Sequence, residues 1–215
     1  MRIICSHGFG VKADGKGLFT DLASAFPEFD FVTFDYNLLH DDGNMQVRPL
    51  EEQARLLQPH LDEPYEGKTV ILAHSQGCMT VGMADLHRVD AAILLAPPQA
   101  FSIRNFMQRL ADRPDTTLNP AGMSSVGRAD GSKLLIPADY IAGMQASDPM
   151  RLYTAITASI PTTIVRAGDD TTVGATDFSS IPDAQQLDIM ADHNFTGTAR
   201  ADLAELLAPV LGQHS

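Results

Sequence analysis

The chain has 215 residues, 44% of them hydrophobic and 20% charged, which is enough for one domain with a real core and excludes disordered and fibrous classes. Acidic residues outnumber basic ones 27 to 15, for a formal net charge of −12. Such a surface repels phosphate backbones and anionic lipid, so neither nucleic acid nor a membrane is expected as a partner.

The two cysteines, Cys5 and Cys78, fall in no C-x-x-C or zinc-ligand spacing. This argues against a disulfide scaffold or a structural metal and for the reduced cytosol. The opening Met1-Arg2-Ile3-Ile4-Cys5-Ser6-His7-Gly8 turns polar too early for a signal-peptide core. No apolar run is long enough to span a bilayer, and a cytoplasmic protein is expected.

In chain order, Arg2–Ser6 is a short apolar run feeding a Gly-rich turn, His7-Gly8-Phe9-Gly10. Residues 17–26 carry apolar positions at helical spacing and stop at Pro27. Residues 30–34 alternate and read as a strand, and 49–61 place Leu50, Ala54, Leu57 and Leu61 on one helical face. Thr69–Ala73 is a continuous apolar run, the mark of a strand buried on both faces. A helix is expected over 77–87 and a second buried strand over 91–96, stopped by Pro97-Pro98. The alternation breaks from Phe101 to about Ser159, then resumes with strands at 162–166 and 185–190 and a closing helix at 198–211. Alternating strands and helices argue for a single α/β domain: one mostly parallel sheet of about six strands, helices on both faces, and residues 101–159 as a cap or lid insertion.

The chemistry concentrates in four places. Thr69-Val70-Ile71-Leu72-Ala73-His74-Ser75-Gln76-Gly77 is a small-x-Ser-x-Gly string between a buried strand and a helix. A strand turning sharply into a helix exposes the serine hydroxyl, and small neighbours let other backbone approach; such a string alone also recurs by chance. The turn His7-Gly8-Phe9-Gly10 has glycines that leave backbone N–H groups free, so Phe9 and Gln76 are candidate oxyanion donors. The third place is Gly168-Asp169-Asp170-Thr171-Thr172-Val173, paired acids after a strand. The fourth is Ala191-Asp192-His193-Asn194-Phe195, a histidine before the last helix. Singly, an Asp-Asp pair is a turn or a cap, and a loop histidine carries nothing. Together they give Ser, then acid, then His, each just past an expected strand.

On these segments the sequence resembles the α/β-hydrolase superfamily, and within it the compact bacterial serine esterases of the cinnamoyl and feruloyl type. The resemblance implies Ser75 as nucleophile, His193 as general base and Asp170 as the acid behind it. Asp170 is preferred to Asp169 because the family's acid stands three residues before a Val-type position, here Val173. Phe9 and Gln76 take the oxyanion role through their backbones, so their side chains are expected to matter less. Ala73 stands where the family has Gly, and the family's first two antiparallel strands have no counterpart before Arg2. The implied reaction is hydrolysis of a small ester through an acyl-enzyme, a carboxylesterase activity with neither metal nor organic cofactor. The rival reading is a ligand-binding or sensor protein on the same scaffold with slow turnover.

Overall fold

A computed structural model describes residues 1–214. From the N-terminus run strand β1 (Arg2–Ser6), helix α1 (Leu18–Ala25), strand β2 (Asp30–Thr33), the two-residue strands β3 (Leu38–Leu39) and β4 (Met45–Gln46), and helix α2 (Leu50–Asp62). Strand β5 (Thr69–His74) turns through one residue into α3 (Gln76–Val81), and β6 (Ala91–Leu95) follows. Next come α4 (Ile103–Ala111), the hairpin β7 (Met123–Gly127) and β8 (Lys133–Pro137), α5 (Ala138–Ala146) and α6 (Pro149–Ser159). The chain closes with β9 (Thr162–Ala167), β10 (Gln185–Ile189) and α7 (Ala199–Gly212).

The main sheet has the order β10-β9-β6-β5-β1-β2, and all its pairings are parallel. The period of two in each central strand divides the core. Ile3, Cys5, Val70, Leu72, Ala91 and Ile93 face the cluster built with α1 and α7. Ile4, Ile71, Ala73, Ala92 and Leu94 face the opposite cluster, which includes α2, α5 and α6. Both faces are covered, which is why these strands read as continuous apolar runs. The chain winds outward in one direction from β1 to β2 and in the other from β5 to β10. The loops after β1 and β5 therefore meet at a topological switch point, the usual site for a ligand in an open α/β sheet.

Three features differ from the sequence reading. The helix expected over 77–87 stops at Val81. A Cβ at Gly82 would lie 2.6 Å from Leu152 Cβ on α6, so the chain is pressed there and continues as turns, with the Asp85 amide donating to Gln58 Oε1 at 2.8 Å. Strand β2 ends at Thr33; Phe34 leaves the sheet to stack on His60, with ring centroids 4.0 Å apart. The third is a second, four-stranded sheet in the order β3-β4-β8-β7, which joins residues from before α2 to residues from the 101–159 block. Within that block α6 packs on α3 as the crossover helix into β9, while α4 to α5 make up the irregular part.

Candidate active site

Ser75 is the single residue between β5 and α3, and its backbone has φ 55° and ψ −126°. That conformation is sterically costly for a residue with a side chain, and it is held from both sides. The Ser75 amide donates to the Leu95 carbonyl at 2.9 Å, continuing the β5–β6 ladder past the corner. Behind the corner, a Cβ on Gly77 would fall 2.2 Å from the Ser6 carbonyl oxygen, so only glycine lets α3 start against the end of β1. A Cβ on Gly8 would come 3.1 Å from Ser75 Cβ, which fixes how closely the β1–α1 loop approaches the serine.

The other two reactive groups arrive from the loops after β9 and β10. His193 Nε2 lies 2.8 Å from Ser75 Oγ, and His193 Nδ1 lies 2.6 Å from Asp170 Oδ2. The other oxygen of Asp170 accepts the amides of Thr172 at 2.8 Å and Val173 at 2.9 Å. Burial pushes the Asp170 carboxyl up, but the bonds from His193, Val173 and Thr172 outweigh it and hold the group below the usual carboxylate range. Asp169 is exposed, and its backbone amide bonds the Ala191 carbonyl at 2.9 Å. Of the two adjacent acids, Asp170 is the one brought to His193.

The His193 loop is braced on both sides. Asp192 accepts the Thr196 amide at 2.8 Å and the Thr196 hydroxyl at 2.6 Å, closing the turn. His74 Nε2–H donates to the His193 carbonyl at 2.7 Å. His74 itself is buried, and desolvation, with the neighbouring His193 adding to it, pushes its pKa down to about 3. His7 is held neutral in one tautomer: Nε2 accepts the Tyr36 amide at 3.0 Å, and Nδ1–H donates to the Gly8 carbonyl at 2.9 Å. Burial lowers its pKa as well. These two flanking histidines are structural supports.

Among the described residues, neither the Phe9 nor the Gln76 amide has an acceptor within the protein. Their side chains do more than the sequence reading expects. Gln76 Oε1 accepts the Tyr140 hydroxyl at 2.6 Å, and Gln76 Nε2 donates to Gln53 Oε1 at 2.8 Å. Gln53 in turn donates to the Arg48 carbonyl at 2.7 Å. The Tyr140 ring also stacks on Phe9, with centroids 5.4 Å apart. One side chain of α5 thus touches both residues that carry the free amides. A tyrosine in a helix has no sequence signature for this.

These groups line a cavity of about 500 Å³ whose inner wall includes Phe9, Phe106, Leu134, Tyr140 and Met144. A second hollow of about 520 Å³ lies between the α3–β6 connection and α6 and is lined by none of Ser75, Asp170, His193, Phe9 or Gln76. No group of three or more His, Cys, Asp or Glu side chains among the described residues could hold a metal ion. Cys5 and Cys78 are buried, and burial pushes both thiols up.

The sequence matches no protein-family model and no curated protein. Solved structures match it over nearly its whole length. Est1E from Butyrivibrio proteoclasticus aligns with a TM-score of 0.65 at 15% identity, covering 99% of this chain and 87% of that one. A thermophilic esterase from Thermogutta terrifontis gives 0.66 at 16%, covering 100% and 91%. A pyrethroid hydrolase from Sphingobium faniae gives 0.67 at 16%, covering 99% and 97%. The chain has the α/β-hydrolase fold. In this α/β-hydrolase frame Ser75, Asp170 and His193 stand just beyond the C-terminal ends of β5, β9 and β10, on the sheet edge where the switch point opens. Among the described residues no helix is long and apolar enough to cross a membrane.

Proposed function

We propose that this protein is a serine hydrolase that cleaves a small carboxylic ester through an acyl-enzyme. The observation that carries the reading is the unbroken hydrogen-bonded line from Ser75 Oγ through His193 to Asp170, at 2.8 and 2.6 Å. With Nδ1–H donating to the Asp170 carboxylate, Nε2 is left as an acceptor facing the Ser75 hydroxyl. Ser75 attacks the ester carbonyl as its proton passes to Nε2, and the imidazolium then protonates the departing alcohol. Water, deprotonated by the same nitrogen, releases the acid. The unpaired Phe9 and Gln76 amides take the developing oxyanion, each donor contributing about 3 kcal/mol to the transition state.

The 101–159 block without the crossover helix α6, residues 101–146, is the cap in this reading, since Phe101, Phe106, Arg109 and Tyr140 from it line the cavity. Similarity of fold to esterases and hydrolases favours an ester bond as target. The test is labelling by a fluorophosphonate probe with turnover of short p-nitrophenyl esters. Wild type is expected to label at Ser75 and turn over, and folded Ser75→Ala to do neither. A variant that retains near-wild-type turnover removes Ser75 as nucleophile.

A further inference from the structure

The charge around the cavity mouth inverts that of the chain. Over the whole sequence acids outnumber bases by 27 to 15, yet the cavity is lined by Lys16, Arg109 and Arg113 against the single acid Asp112. Two elements supply the cations. Lys16 comes from the β1–α1 loop, and its charge reaches inward far enough to oppose protonation of His74. Arg109 lies in the last turn of α4, and Arg113 lies just past the helix end, its amide bonded to the Leu110 carbonyl at 3.1 Å.

Arg109 is held in place across the mouth. One guanidinium N–H donates to the Thr172 carbonyl at 2.7 Å, beside the acid loop, which leaves its other donors open. The Lys16 ammonium and the Arg113 guanidinium have no hydrogen-bond or ion-pair partner among the described residues. Neither Arg109 nor Arg113 forms an ion pair with a carboxylate among the described residues. Inside the mouth the wall is aromatic: Phe9 meets the edge of Phe106 at 5.2 Å between centroids and stacks on Tyr140.

We propose that the substrate is an anionic ester, its carboxylate or phosphate held at the mouth by Lys16, Arg109 and Arg113 while its apolar part lies against Phe9, Phe106 and Tyr140. This rests on the hydrolase reading and names its substrate class. A low-dielectric cleft rimmed by one sign of charge concentrates ligands of the other sign.

The experiment uses two matched ester pairs, one with the charge on the acyl side and one with it on the alcohol side. The first is p-nitrophenyl hemiglutarate against p-nitrophenyl pentanoate. The second is 4-acetoxybenzoate against 4-acetoxybenzamide. In at least one pair kcat/KM is expected to favour the anion by about tenfold or more at low salt. That ratio should collapse toward one in 0.5 M NaCl and in the double variant Lys16→Gln/Arg113→Gln. Because Arg109 also braces the acid loop, the ratio within each protein is the readout, not the absolute rate. Equal or slower turnover of the anion in both pairs overturns the proposal, as does a preference that survives salt and the double variant. Turnover of the neutral esters keeps the hydrolase reading standing in either case. Loss of all four activities, with no labelling of Ser75, removes both.

Discussion

Acid should unfold this protein through a histidine that takes no part in the proposed chemistry. His74 titrates at about 6.5 in an unfolded chain and at about 3 in the folded one. Above pH 6.5 it is neutral in both states and stability does not depend on it. Below pH 6.5 the unfolded chain takes up a proton that the folded chain refuses, so stability falls with pH until about pH 3. At about 1.4 kcal/mol per pH unit the whole interval amounts to about 5 kcal/mol, a large part of the stability of an ordinary domain. His7 and the partly buried His60 are depressed too and act in the same direction. The carboxyls of Asp90, Asp170 and Asp192 are lowered from 3.8, so their contribution is lost below about pH 4. The interval from pH 4.5 to 6 therefore belongs to the histidines. Urea unfolding at half-unit steps across it, for wild type and His74→Gln, gives the slope of unfolding free energy against pH. Gln can still donate to the His193 carbonyl but cannot titrate. Its slope should be flatter by about 1.4 kcal/mol per pH unit, whatever its stability at pH 7. Equal slopes would refute the assignment of His74 as a neutral buried support.

Gly77→Ala should destabilise the fold by about 3 kcal/mol and abolish esterase activity, because the new methyl lands on the Ser6 carbonyl; thermal melts and p-nitrophenyl ester turnover check both. Asp170→Asn should lower kcat by about 10⁴-fold, since the amide no longer fixes the His193 tautomer, while Asp169→Asn changes it less than about twofold; the reverse ranking would move the acid role to Asp169. Tyr140→Phe leaves the buried Gln76 Oε1 without its 2.6 Å donor and should cost about 1–3 kcal/mol of stability. Because the same ring sits on Phe9, its kinetic defect is expected in kcat more than in KM, and a pure KM effect would make Tyr140 a contact for substrate instead. The pH profile of kcat/KM should be unchanged in His7→Gln, whose ring is already occupied at both nitrogens, whereas His193→Gln should lose most of the activity at every pH.

The main sheet was legible because its central strands are buried on both faces, and such strands leave continuous apolar runs like Val70-Ile71-Leu72-Ala73. The convergence of Ser75, Asp170 and His193 was legible because each follows an expected strand, and parallel strands deliver their next residues to one edge. What stayed hidden depends on contacts between distant segments. Strands β3 and β4 have two residues each, too few for any period, and exist because β8 offers a partner to β4. The end of α3 is set by Leu152, which lies 70 positions beyond Gly82. Gln76 looked like a residue needed only for its amide, because nothing local announces that Tyr140 and Gln53 grip its side chain. The choice between Asp169 and Asp170 needed the offset to Val173, and the geometry shows the physical content of that offset: the Val173 amide closes a turn onto the carboxylate.

The order of the three residues along the chain has a consequence for synthesis. Ser75 and His193 are 118 positions apart. At a ribosomal rate of about 5–20 residues per second, the serine leaves the ribosome about 6 to 24 s before the histidine that would activate it. Throughout that interval the nascent chain has the strained corner's sequence but no base, and the loop that carries His193 also waits on β10 and α7. On the proposed mechanism reactivity is thus withheld until residue 193 is made, and a product cut short anywhere before it would be released without the base proposed to activate Ser75.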